Sequence, residues 1–198
     1  MKAIVQSETK YGVSVFIQKP QLRYLDEFIM LACAVDMLAW KLFPNAKEIT
    51  ESMAAYRAVR SYFWRKGWSP SDKSITAIIV GDGSTPRTGA LFALRTAWTC
   101  HSVDPALSKK NEWACIERLH IHRKPIEECI FNGGGRYILI AVHSHANLEH
   151  ARQAIKSEKV PVVSIPCCVP QTIADQEPNE IFEDMGIASP ERTVKVWF

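Results

Sequence analysis

From Ile75 to the C-terminal Phe198 the chain alternates between two hydrophobic patterns. Short apolar runs, "ITAIIVG", "TCHSVD", "RYILIAVHS" and "VPVVSIP", read as strands. "IERLHIHR" alternates and reads as another, and "RTVKVWF" as a last one. Two segments with apolar residues at helical spacing fall between them: "PRTGALFALRTAW", with Pro86 in its first turn and Thr85 as its expected N-cap, and "LEHARQAIKSE". Apolar runs without alternation suit strands covered on both faces, as in a parallel sheet. Strand–helix repetition then predicts a doubly wound α/β fold, with a mostly parallel sheet and helices on both faces.

The first third is patterned differently. "KAIVQ" and "YGVSVFIQ" predict a hairpin closed by Pro20. Residues 22–42 predict one helix, with Leu25, Phe28, Ile29, Ala32, Val35, Leu38 and Ala39 on its apolar side. A second helix is expected over 47–64, facing inward with Met53, Tyr56, Val59, Tyr62 and Phe63. We therefore expect an N-terminal hairpin and helical extension over 1–70 and a cofactor-binding α/β unit over 71–198, in one compact body.

Composition adds little. The 198 residues are 47% hydrophobic and 23% charged, ordinary for a globular chain with a real core. The formal net charge of +3 permits a nucleic-acid partner without demanding one. "FIMLACAVDMLAW" is interrupted by Asp36 and too short to span a bilayer. The opening residues lack the apolar segment of a signal peptide. Six cysteines stand without a C-x-x-C pair, so buried thiols in a cytoplasmic setting are expected.

Candidate chemistry begins at "VGDGSTPRTG". Gly81, Asp82, Gly83 and Ser84 follow an apolar strand, where glycine lets the backbone approach a ligand and the next helix offers free amides. Pro86 stands where a dinucleotide fingerprint needs its third glycine, which disfavours nicotinamide and nucleotide-sugar enzymes. Asp104 ends the following strand, twenty-odd residues on, where a carboxylate can accept ribose hydroxyl hydrogens. The plainer reading of Asp104-Pro105 is a capped turn. His143 and His145 follow a later strand and are candidate general bases, or loop residues capping the next helix. A metal held by His143, His145 and Cys167-Cys168 is conceivable, but no spacing requires one, and none is expected. In "YRAVRSYFWRKGWSPSDK" arginines interleave with aromatics; an amphipathic helix is preferred there over a nucleic-acid strip.

On these residues the segment 75–198 resembles the class I S-adenosylmethionine-dependent methyltransferases. The resemblance implies that Gly81, Asp82, Gly83 and Ser84 hold the methionine part of S-adenosylmethionine and that Asp104 holds the ribose. It places His122 beside the adenine and His143, Ser144 and His145 at the methyl acceptor. "SIPCC" is similar to a subgroup of RNA-directed methyltransferases with a Cys-Cys pair there; with the basic balance of the chain this makes RNA the preferred acceptor by a small margin, a small molecule or a protein remaining open. The Asp/Asn-Pro-Pro-Tyr/Phe motif of base-amino methyltransferases is absent. A non-catalytic Rossmann-like binding or structural module is the alternative.

Overall fold

The computed structural model describes residues 3–9, 12–17, 22–109, 112–174 and 176–198. β1 (Ala3–Thr9) and β2 (Gly12–Ile17) pair antiparallel in a sheet of their own, with Ala3 opposite Ile17. This is the expected hairpin. Its turn at positions 10 and 11, and Pro20, lie outside the described residues.

The single helix expected over 22–42 is instead two short ones, α1 (Arg23–Ile29) and α2 (Ala34–Ala39). Their buried residues are Tyr24 and Phe28 on α1 and Ala34 and Met37 on α2. At 3.6 residues per turn, Met37 would point roughly 180° away from Phe28 on a straight helix. The break over 30–33 turns both stripes into one core. It also overturns the expected apolar face: Ile29, Val35 and Leu38 are 68%, 76% and 50% exposed. No glycine or proline marks the break, so tertiary packing imposes it.

α3 (Ala46–Phe63) follows, close to its expected span. The Asn45 side chain accepts the Glu48 amide hydrogen at 3.1 Å, satisfying one of the orphan donors of the first turn. Met53, Tyr56, Val59 and Phe63 are buried, so the aromatics of this segment enter the core. Arg57 pairs with Glu27, and Arg60 lies over the Trp64 ring. The segment is an amphipathic helix rather than an open stacking strip; the Arg65 side chain lies outside what is described.

The main sheet has seven strands: β3 (Ile75–Val80), β4 (Thr99–Val103), β5 (Leu119–His122), β6 (Arg136–Val142), β7 (Val162–Ile165), β8 (Glu180–Glu183) and β9 (Thr193–Trp197). Its order is β5-β4-β3-β6-β7-β9-β8. β3 to β7 pair in parallel, and β9 runs antiparallel to both β7 and β8. β8 was not legible in the sequence: its side chains are mostly exposed, so it carries no apolar run.

Both faces of the sheet are covered, unequally. Ile75, Ala77 and Ile79 of β3 share a core with α3 and α4 (Arg87–Arg95) and with the N-terminal helices. Ile78 and Val80 face the other way, toward Leu148 and Ala151 of α5 (Leu148–Gln153). Among the described residues that second face is covered by this short helix, the 3-10 turn Ile126–Glu128 and their loops. Among the described residues no helix is long and apolar enough to cross a membrane.

Candidate functional site

The sheet order reverses between β3 and β6, and loops from their carboxyl ends part there to leave a cleft. The cleft holds about 460 Å³ and is lined by Val80, Gly81, Gly83, Arg87, Asp104, Pro105, Ile126, Glu127, His143 and His145, among others. Its size is that of a small-molecule site. A larger cleft, about 1010 Å³, lies at the amino ends of β6 and β7, between Trp68, Arg136, Arg152 and Trp197. We place the site in the smaller one, because in open α/β sheets the carboxyl ends hold the ligand.

The strand-to-helix corner is built by backbone geometry. Gly81 has φ +69°, and its amide donates to the Val103 carbonyl at 2.8 Å. A Cβ there would stand 2.1 Å from Ser144 Oγ, so the β3 and β6 loops touch at a point that only glycine permits. The Gly83 amide donates to Asp104 Oδ2 at 2.8 Å, which ties the corner to the end of β4.

Asp104 also accepts the Ala106 amide hydrogen, at 2.7 Å. The capped turn therefore exists, and the same carboxylate lines the cleft. Each carboxylate oxygen has two acceptor sites, so capacity remains for ligand hydroxyls. The two readings of Asp104 are compatible.

Asp82 does not face the cleft. It is 2% exposed and accepts from the Thr88 amide (3.0 Å), the Gly89 amide (3.0 Å) and Ser102 Oγ (2.8 Å). It thus caps α4 from within the fold. Burial pushes its carboxyl pKa up, against the lowering effects of Arg87 and these hydrogen bonds. Thr85, the expected cap, donates instead to the Leu42 carbonyl at 2.6 Å. Ser84 is exposed and outside the cleft lining; its carbonyl accepts from the Ser108 amide at 3.0 Å.

Three further expectations are revised. His122 does not line the cleft. Its Nε2 lies 2.8 Å from His101 Nδ1, and its ring packs edge-on to Phe131. Pro125, Ile126 and Glu127 occupy the wall expected of it. Ser144 is 1% exposed, packed against Gly81 and accepting the Ala146 amide hydrogen, so it shapes the loop rather than bordering an acceptor. The expectation of uniformly buried thiols fails too, since Cys115 and Cys168 are exposed.

The structure does bring Gly81, Gly83, Asp104, His143 and His145 to one cleft. His143 has φ +48°, and its Nδ1 stands 3.4 Å from Glu51 Oε1. Glu51 is itself 1% exposed and paired with Lys47. Burial pulls the His143 pKa down, and Glu51 opposes it.

Arg87 was missed. Its guanidinium lines the cleft, ion-paired with Glu48 and donating to the Asp82 carbonyl. The sequence did hold a signal: a cation in the first turn of a helix opposes the macrodipole and calls for a compensating role.

The histidines on β4 and β5 make a separate cluster. His101 stacks on His120 and touches His122 and Phe131. Burial, then its histidine neighbours, hold its pKa down to about 4 from an ordinary 6.5. Between those values the unfolded chain takes up a proton that the folded chain refuses. Stability present above pH 6.5 is therefore lost as pH falls toward 4. We expect the melting temperature to drop across that window, and His101→Gln to flatten the slope. An equal slope in the variant would assign the effect elsewhere.

No protein-family model matches the chain, and no curated protein matches it in sequence. Among solved structures it is similar to a protein of Methanococcus maripaludis described as an S-adenosyl-L-methionine-dependent methyltransferase. That match has 15% identity and a TM-score of 0.41, over 77% of this chain and 67% of the other. It is similar to a point mutant of MtNAS at 12% identity and a TM-score of 0.46, over 88% and 67%. It is also similar to methyltransferase CalO6 at 13% identity and a TM-score of 0.40, over 84% and 74%. Likeness at this level says nothing of substrate. The strand order, with its one reversed strand between β7 and β8, decides the architecture. It is a doubly wound, Rossmann-like α/β fold.

Proposed function

We propose that the cleft binds S-adenosylmethionine and that the protein is a methyltransferase. The observation that carries this reading is the Asp104 carboxylate held against the Gly81–Gly83 backbone where strand order reverses. The donor set suits the cofactor. Asp104 offers acceptors to two vicinal hydroxyls, and the Arg87 guanidinium offers a cation to a carboxylate. Bound S-adenosylmethionine would supply an electrophilic methyl group on a sulfonium.

The chain's own residues then have assignable parts. Gly81 keeps the corner bare, so the backbone can meet the ligand. Asp104 orients the ribose. Glu51 faces His143 Nδ1, which leaves Nε2 to take a proton from the acceptor. Depression by burial keeps that imidazole neutral near pH 7, in the form that accepts a proton. RNA is the acceptor this reading prefers, from the basic balance of the chain. The second reading, a module that binds without turnover, is favoured by one observation: His143 Nε2 lies 3.4 Å from Ser189 Oγ and so already has a neighbour inside the fold.

Calorimetric titration tests the proposal. S-adenosylmethionine and S-adenosylhomocysteine should bind and raise the melting temperature, while NAD should do neither. Asp104→Ala should weaken both sulfur nucleosides by about 10- to 100-fold, the loss of one or two hydrogen bonds to a charged group. Absence of any response to either compound at millimolar concentration would sink the reading. Binding without turnover on any acceptor pool would select the non-catalytic module.

A further inference from the structure

Beside the cleft, three ligand-bearing side chains converge from two loops. Val142 of β6 pairs with Ile165 of β7, so the two chains leave the sheet side by side. His145 comes three residues after the first, Cys167 and Cys168 two and three after the second. His145 Nε2 lies 3.4 Å from Cys168 Sγ, and the two sulfurs are 3.7 Å apart. All three ligand atoms fall within 4.8 Å of one another.

Two of the three separations match a tetrahedral coordination sphere, and the third is bounded at 4.8 Å. Zinc bonds of about 2.3 Å to sulfur and 2.0–2.1 Å to nitrogen, at tetrahedral angles, set S···S near ~3.8 Å and S···N near ~3.6 Å. Both contacts lie within about 0.2 Å of those values, comparing 3.7 and 3.4 Å with the ideal. His145 and Cys168 are exposed and Cys167 half-buried, so an ion can reach them.

We propose that His145, Cys167 and Cys168 bind a thiophilic divalent cation, zinc in the first instance, through three protein ligands. The two thiols enter as thiolates, releasing two protons to solvent, and the neutral imidazole binds through Nε2 with its proton on Nδ1. A water or another exogenous ligand completes the tetrahedron. Because His145 also lines the cleft, the ion sits at its rim. The proposal stands on these three residues and not on the identity of the cleft's ligand. His143, on the same loop, is directed to Glu51 and takes no part.

The test uses the full chain, reduced and metal-free, titrated with Zn²⁺ against a chromogenic chelator and, in parallel, with Co²⁺. The expected result is one equivalent bound, with thiolate-to-cobalt charge-transfer absorption and the visible bands of tetrahedral Co²⁺. His145→Ala, Cys167→Ser and Cys168→Ser should each weaken Zn²⁺ by more than about tenfold. Each should leave the metal-free melting temperature in place. Cys33→Ser and Cys115→Ser should change nothing. No binding in competition with the chelator overturns the site. So does binding indifferent to His145→Ala, or binding lost with Cys115→Ser.

Discussion

Gly81→Ala should destabilise the protein by roughly 3–5 kcal/mol, from left-handed strain and overpacking together. The φ of +69° alone puts an L side chain in the left-handed region. The new Cβ would also stand 2.1 Å from Ser144 Oγ and 2.6 Å from Ser144 Cβ. Ser144 cannot swing aside freely, because its hydroxyl accepts the Ala146 amide hydrogen and Gln171 donates to its carbonyl. For a domain of this size the melting temperature should fall by about 10 °C. A Ser144→Gly background separates the two causes. There Oγ and Cβ are gone and only the position-144 Cα, 3.0 Å away, still crowds the new methyl, so the same substitution should cost only about 1–2 kcal/mol, mostly the conformational part. Equal costs in both backgrounds would show that Ser144 is not the obstacle.

Asp82→Ala should be nearly as damaging, by about 3–5 kcal/mol measured in denaturant unfolding. The carboxylate is the shared acceptor for two α4 amides and the Ser102 hydroxyl, all out of water. Truncation strands three donors, and an unmade buried hydrogen bond costs more than a made one contributes. Asp82→Asn keeps the shape and one acceptor oxygen, so it should fall between wild type and alanine. Ligand binding measured below the melting transition should be largely retained in the asparagine variant, since the side chain does not line the cleft. A loss below about 1 kcal/mol in the alanine variant would contradict this account.

How far the sequence led can be judged residue by residue. Unbroken apolar runs at β3 and β6 dictated buried parallel strands, because both faces of each strand needed cover. The positions of the Gly81–Gly83 corner and of Asp104 were legible because each directly follows an apolar run that marks where its strand stops. The helical break over 30–33 was not legible, since its cause is a core supplied by α3 and the sheet. Nor was the part played by Gly89, which lets α4 approach β4, where a Cβ would meet Ser102 Cβ at 3.1 Å.

By itself, then, the chain determined the alternation of elements, the class of sheet and the strand ends that form the cleft. Those follow from periodicity, which each segment carries within its own residues. Only the tertiary structure decided where the loop side chains point. Asp82 turned inward because α4 and β4 present three donors to it, and Arg87 faced the cleft because Glu48, far earlier in the chain, balances its charge. His145 met Cys167 and Cys168 because two strands pair in register. A loop has no period, so its side chains are set by partners distant in sequence, and those exist only once the chain has folded.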